Sequence, residues 1–203
     1  MIYENDKIMI RQFTKKDASD RYRSWFYDPE TTKYNSHGLF PYTHEQAKAF
    51  IKDIKGSTTK IVWAIIQKTE FEKIKNRPFA LSESEIKERR DVGVHVGNIS
   101  LQSINLHNRS AELAIVIGEA SARGKGYGLQ ACQLVLNHGF NKIGLNRIWT
   151  GTAATNIPMQ KICEKLSMKQ EGVFREGMFL NGEYVDVYAY GILKRGCKGV
   201  NNV

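Results

Sequence analysis

The sequence predicts an α/β fold, with a mixed, mostly antiparallel central sheet flanked by helices. Three observations carry that expectation. The elements run strand, two helices, three strands, helix, strand, helix, two strands. Some strands follow one another through turns alone, at Asn105–Arg109 and at Asn181-Gly182, the latter a strong hairpin signal. The apolar strand Ala111–Ile117 also runs through a glycine-rich loop directly into a helix.

Taken in order, Lys7–Phe13 (KIMIRQF) alternates well enough for a first strand. Thr14 and Asp17 have capping-box spacing, so a helix is expected from about Asp17, carrying Tyr22, Trp25 and Phe26 and ending at Asp28-Pro29. Residues 34–42 (YNSHGLFPY) read as a loop, and Thr43 with Gln46 forms a second capping box opening a helix to about Ile54. Lys60–Gln67 is β-branched and aromatic, a buried strand. The charged stretch 68–91, with Pro78, reads as an excursion with helical character over 82–89. Strands return at Gly93–Leu101 and Ala111–Ile117, a helix at Leu129–Phe140, and a strand at Asn146–Thr152. Asn156 can cap a helix running to about Leu166, with Pro158 in its first turn. Two last strands are expected at Gln170–Phe174 and Glu183–Ile192.

At 203 residues, 41% of them hydrophobic, the chain can bury the core of one domain. That domain is expected over 1–193, followed by a flexible tail at 194–203 (KRGCKGVNNV). The start, MIYENDK, is polar and acidic, and no apolar run reaches bilayer length, so neither secretion nor a membrane is expected. Cys132, Cys163 and Cys197 are odd in number and lack metal-ligand spacing, which fits free thiols in the cytoplasm and no metal. A net charge of +9 could attract nucleic acid, anionic lipid or a polyanionic small molecule. A lysine-rich solvated surface explains most of that excess, and no RNA-binding or zinc-finger motif supports nucleic acid as a partner.

The segment Arg123-Gly124-Lys125-Gly126-Tyr127-Gly128 lets the backbone turn tightly and leaves amide N–H groups unpaired at a helix start, where the dipole favours an anion. The dinucleotide fingerprint fails because Leu129 stands where its last glycine belongs. The nucleotide-triphosphate loop fails because no Gly-Lys pair is followed by Ser or Thr. What remains, R-x-x-G-x-G, resembles the pyrophosphate loop of the GNAT superfamily of acetyl-CoA-dependent N-acetyltransferases. The resemblance extends over nearly the whole chain outside 68–91 and the tail. Asn156, CEKLSMKQEG at 163–172 and Asp186 are similar to the branch holding ribosomal-protein N-terminal acetyltransferases and several small-molecule enzymes. Ser167-Met168 replaces the usual Gly-Phe there. Trp25, Asp28-Pro29-Glu30 and Tyr34 resemble a segment of nucleotide-amino-sugar acetyltransferases.

The resemblance implies a GNAT fold and acetyl-CoA as co-substrate. It assigns the pyrophosphate to the amides of Gly124, Lys125, Gly126, Tyr127 and Gly128, with Arg123 beside them or in a surface salt bridge. Val116 and Ile117 match the splayed strand that pairs with the pantetheine arm, and Asn156 would touch that arm while also capping its helix. Acetyl transfer further needs a neutral amine, whose pKa in water is about 10, so a carboxylate has to accept a proton. Glu112 is the candidate base, since it shares one strand face with Ala114 and Val116 opposite Leu113, Ile115 and Ile117; the alternative is an ion pair with a surface lysine. Asp186 comes next, with a structural role favoured, and His95 and His37 are remote candidates. Many family members place a tyrosine acid seven residues after the asparagine, where this chain has Cys163, either a proton donor or a packing residue.

Trp25, Tyr34, His37, Phe40 and Phe179 form an aromatic set where the family builds its acceptor pocket, with hydrophobic core as the alternative for each. The expected activity is acetyl transfer to a primary amine, a nucleotide-linked amino sugar first and a protein N-terminus second. Polyamines and aminoglycosides stand further back, because no dense acidic cluster is present. A non-catalytic acyl-CoA-binding module and a ribosome-associated protein are the rivals from other classes. The expected assembly is a monomer or homodimer.

Overall fold

A computed structural model of the chain describes residues 2–68 and 93–197. Apart from Lys68, the excursion and its helical stretch over 82–89 lie outside the described residues, as do residues 198–203 of the tail.

Eight strands form one sheet: β1 (Ile2–Glu4), β2 (Ile8–Gln12), β3 (Ile61–Gln67), β4 (Val94–Asn105), β5 (Ser110–Ile117), β6 (Arg147–Ala153), β7 (Lys169–Leu180) and β8 (Glu183–Leu193). Their order across the sheet is β1-β2-β3-β4-β5-β6-β8-β7, antiparallel throughout except for the parallel pair β5–β6. The mixed, mostly antiparallel architecture therefore follows the sequence expectation, with β1 added at one edge.

Both faces of the central strands are covered, which explains why they read as near-continuous apolar runs. Ile8 and Ile10 of β2 join Trp63, Ile65, Leu101 and Leu113 in the core beneath α4 (Tyr127–Asn137) and α5 (Ile157–Lys165). Met9, between them in sequence, enters the second core with Val62, Ala64 and Ile66 under α1 (Asp20–Ser24) and α3 (His44–Ile54). In α5 the core residues Met159, Cys163 and Leu166 recur at helical spacing. In α3, Ala47, Phe50, Ile51 and Ile54 do the same. The Thr43–Gln46 capping box is present in both directions.

The expected helix from Asp17 to Asp28 is instead three short pieces. Asp17 is drawn inward by Arg11 (2.7 Å to each carboxylate oxygen) and accepts from the Thr14 N–H at 2.7 Å, so Thr14 opens no helix. Ser19 caps α1 by accepting from Tyr22 N–H at 3.3 Å, and a 3-10 turn follows at Trp25–Tyr27. Asp28-Pro29 does not end a helix but begins α2 (Pro29–Thr32), Asp28 as cap and Pro29 in the first turn. At the other end of the chain, β7 runs past Phe174 to Leu180 through a bulge at Glu176, where φ is +51°. The Asp186 carboxylate holds that bulge by accepting Glu176 N–H at 2.8 Å, a structural role for this residue. Asn181 (φ +53°) and Gly182 (φ +88°) make the hairpin turn.

Candidate active site

The site begins where two strands part. β5 and β6 pair in parallel only from Ser110 to Glu112, opposite Arg147 to Trp149. Past Glu112, β5 keeps its ladder to β4 (Val116 opposite Asn98, Ile117 opposite Gly97), while its β6-facing edge has no ladder partner among the described residues. A wedge opens there. It continues into a cavity of about 860 Å³ that runs from α1–α3 to the starts of α4 and α5.

At one end of the cavity lies the glycine-rich loop. Gly124 (φ +74°) and Gly126 (φ +80°) hold left-handed conformations, the reason glycine stands at both. Gly126 caps α4 with no side chain, so the first-turn N–H groups receive no side-chain acceptor. Gly124, Gly126, Tyr127 and Gly128 line the cavity, whereas Lys125 is exposed and outside its lining. Gly128 serves packing instead: a Cβ there would lie 3.3 Å from Ile162 Cδ1. Asn156 also lines the cavity, and its side chain caps α5 by accepting Met159 N–H at 3.2 Å. A bare helix start beside a strand edge without a ladder partner suits a ligand with a diphosphate and an extended, amide-bearing arm.

Glu112 opens into the middle of the cavity, at the residue where the wedge begins. Its carboxylate makes no hydrogen bond or ion pair among the described residues. Its face of the sheet is polar, because Gln102, Ser100 and Asn98 of β4 stand opposite Glu112, Ala114 and Val116. All three β4 residues line the cavity and were not singled out from sequence, though their alternation with buried Ile99 and Leu101 is the signal that could have found them. Thr150 and Thr152 of β6 line the opposite wall.

Of the expected aromatic set, the structure brings Tyr34 and His37 to the cavity, joined by Tyr22, Phe26, Tyr42 and the Glu30 carboxylate. Trp25 is corrected to core. It is 4% exposed, packed edge-on against His95 (4.9 Å) and Tyr22 (5.5 Å), and outside the cavity lining. Phe40, 74% exposed, lines a separate shallow pocket with Tyr27, Pro29 and Leu39. Phe179, 55% exposed, points away to pair with Tyr184 at 5.0 Å, and its neighbour Met178 faces the cavity.

Cys163 is also corrected. It is 0% exposed in the core, does not line the cavity, and burial pushes its thiol up to about 12. From there it packs α5 against the sheet and offers no proton to the wedge. His95 is held by its packing, with Nε2 2.8 Å from Asn98 Oδ1 and 3.0 Å from Gly97 O, and burial lowers its pKa. Two acceptors on one nitrogen mean that Nε2 carries the proton.

Arg123, expected at the phosphates or in a salt bridge, lines the cavity beside the loop and turns one guanidinium nitrogen toward α2. Nη2 donates to Asp28 Oδ2 at 2.6 Å, Thr31 Oγ1 at 2.6 Å and Gly118 O at 3.2 Å. The hydrogen bond from Arg123 holds the Asp28 carboxyl below the usual carboxylate range. Gly118 itself lies flat against Trp25, leaving no room for a Cβ.

Comparison with known proteins agrees with this geometry. Residues 7–169 match the model of an acetyltransferase (GNAT) domain. The chain is 29% identical over 195 residues to the uncharacterised N-acetyltransferase p20 of Bacillus licheniformis, covering 96% of this chain and 97% of the relative. It is 25% identical over 174 residues to the human alpha/beta-tubulin-N-acetyltransferase 9, covering 84% and 77%. The fold superposes with a TM-score of 0.74 on a spermidine N-acetyltransferase from Vibrio cholerae crystallised with CoA and spermine, at 19% identity over 95% of this chain and 98% of that one. No helix among the described residues is long and apolar enough to cross a membrane. The wedge between β5 and β6, the open helix start behind Gly126 and the family match over 7–169 together place this chain in the GNAT family of acetyl-CoA-dependent N-acetyltransferases.

Proposed function

We propose that the protein transfers an acetyl group to a primary amine entering the cavity from the α2 side, between Glu30, Tyr34 and His37, with Glu112 as the base. The observation that carries the reading is the position of Glu112: a carboxylate with no partner among the described residues, at the point where β5 and β6 separate, on the polar face of one continuous cavity. Acetyl-CoA supplies the activated thioester when bound. The N–H groups at the start of α4, from Gly124 to Gly128, hold its diphosphate by charge and hydrogen bonding. The free edge at Val116 and Ile117 pairs with its amide-bearing arm as an added strand, and Asn156 borders that arm. Glu112 takes the proton that the amine loses as it attacks, directly or through a water held by the Ser100 and Gln102 face. Cys163 has no part in this scheme, and departure of the thiolate proceeds without a dedicated acid.

The acceptor we assign is a small amine such as a nucleotide-linked amino sugar, its ring resting on Tyr34 and His37. A protein N-terminus is the second reading, favoured by the exposed apolar rim of Tyr27, Leu39 and Phe40 beside that opening, which a sugar nucleotide does not need. The setting is the cytoplasm, in keeping with three free thiols.

The test is free-thiol release from acetyl-CoA against nucleotide amino sugars, polyamines, aminoglycosides and short N-terminal peptides, with Glu112→Gln alongside. Turnover on one class names the acceptor, and a fall of about 10²–10⁴ in kcat for Glu112→Gln with unchanged acetyl-CoA affinity supports the base. A variant that retains full kcat on the preferred acceptor overturns it.

A further inference from the structure

Two ion pairs and one ring contact join the wall of α1 and α2 to the short lead-in before the glycine loop. Arg21 donates to Glu119 Oε2 from Nε at 2.8 Å and from Nη2 at 2.5 Å. Trp25 lies on Gly118. Arg123 reaches Asp28, Thr31 and Gly118 through one nitrogen. These contacts differ in exposure. The Arg21 side chain is 51% exposed and its pair is worth little by itself. Thr31 is buried and also donates to Asp28 Oδ2 at 2.9 Å, and the Arg123 and Asp28 side chains are 32% and 36% exposed.

The network sits between the two halves of the cavity. Arg123 immediately precedes Gly124, whose left-handed backbone sets the path of the loop amides. Asp28 caps α2, accepting Glu30 N–H at 3.0 Å, and α2 carries Glu30 and Thr31 into the other end of the cavity. A carboxylate, a hydroxyl and a carbonyl all engage Nη2 of Arg123, so the α2 side orients a guanidinium that also lines the cavity.

We propose that Arg123 is a positioning residue that ties the acceptor-side wall to the glycine loop through Asp28, so that ordering the loop with coenzyme A also orders α2. The cofactor end is then read at the acceptor end before any acceptor arrives. The acceptor end and the seating of coenzyme A on the loop rest on the reading proposed above; the coupling between the two segments needs no turnover to be measured.

The experiment uses the full chain, coenzyme A as probe, calorimetry for affinity and amide hydrogen exchange for residues 28–33. In the wild type, saturating coenzyme A is expected to slow exchange of these amides about fivefold or more, the lower end of ordinary site-to-site coupling. Asp28→Asn keeps a good helix cap and removes the charge. It is expected to bind coenzyme A within about threefold of wild type while the slowing at 28–33 disappears. Arg123→Met is expected to match Asp28→Asn in both readouts. If Arg123→Met weakens coenzyme A tenfold or more while Asp28→Asn does not, the guanidinium serves the phosphates and the proposal fails. It fails equally if slowing at 28–33 persists in both variants, or is missing in wild type bound to coenzyme A. Should Arg123→Met fail to fold, Arg123→Gln removes the charge from the same pair with a polar side chain, and full slowing at 28–33 there also overturns it. Loss of thiol release with every amine, by contrast, would sink the acetyl-transfer reading and leave these exchange results standing.

Discussion

Replacing Gly118 by alanine adds one methyl group at the point where the loop and the N-terminal helices meet. A Cβ at 118 falls closer than 3.0 Å to Cγ, Cδ2 and Cε3 of Trp25, a separation that real side chains do not hold. The indole has nowhere easy to go, because it is 4% exposed and boxed by Tyr22 and His95. The carbonyl of residue 118 also accepts from Arg123 at 3.2 Å, so moving the backbone instead disturbs that hydrogen bond. Overpacking of a filled core costs about 1–3 kcal/mol, and the rigid surroundings place this case at the top, about 3 kcal/mol. For a domain of this length each kcal/mol lowers Tm by about 2–4 °C, so Gly118→Ala should melt about 6–12 °C below wild type. Calorimetric melts with and without Trp25→Leu make a double-mutant cycle. The smaller side chain vacates the space the methyl group needs, so the double variant should be more stable than the sum of the single effects by about 1–2 kcal/mol. A Gly118→Ala protein melting within about 2 °C of wild type, or a strictly additive cycle, would refute the contact argument.

Three further outcomes follow from particular side chains. Gly126→Ala meets only Gln130 Nε2 at 3.9 Å, so its penalty is the left-handed backbone alone, about 1–2 kcal/mol by thermal melting, together with weaker coenzyme A binding in titration calorimetry. Cys163→Ala should lose about 1–2 kcal/mol and keep thiol release from acetyl-CoA, and Cys163 should resist thiol reagents in the native state; a hundredfold fall in kcat in a folded variant would restore the thiol to the mechanism. Burial pushes the Asp17 carboxyl up, but Arg11 and Thr14 outweigh it and hold it below the ordinary range. The pair therefore stabilises the fold fully above the unfolded carboxylate pKa of about 3.9 and loses that effect as pH falls through the lower folded value. Asp17→Asn should cost about 3–5 kcal/mol at pH 7, and urea titrations should show the gap to wild type closing as pH falls below the unfolded carboxylate value.

The parts of this protein that were legible in its sequence are those fixed by neighbours along the chain. The Thr43–Gln46 box, the Asn156 cap, the Asn181-Gly182 turn and the left-handed loop glycines each depend on residues a few positions apart, and each formed as read. The misreadings arose where a distant partner changed a local preference. Asp17 had the spacing of a helix cap, yet Arg11 on β2 claimed it, and the helix moved to Ser19. Trp25 had the character of a pocket aromatic, but Gly118, far along the chain, offered a flat surface and buried it. The salt-bridge alternative for Arg123 has a distant partner of the same kind, Asp28 at the cap of α2, which the loop motif alone does not name. Glu112 lines the cavity on the face that strand alternation gave it, a local signal that the polar row Asn98, Ser100 and Gln102 opposite it also carried.

The early parting of β5 from β6 bears on how this protein's stability is measured. From Leu113 to Ile117 one edge of the sheet's middle has no ladder partner among the described residues, as if a strand had been withheld. Anything lying along that edge adds to the folded state and nothing to the unfolded one. A ligand at a hundred times its dissociation constant contributes about 2.7 kcal/mol in this way. At about 2–4 °C per kcal/mol, material purified with bound coenzyme A and material stripped of it should melt about 5–11 °C apart. Purification history would then register as two melting points for a single sequence, and a mutational series read against the wrong one would mistake a bound nucleotide for a stabilising side chain.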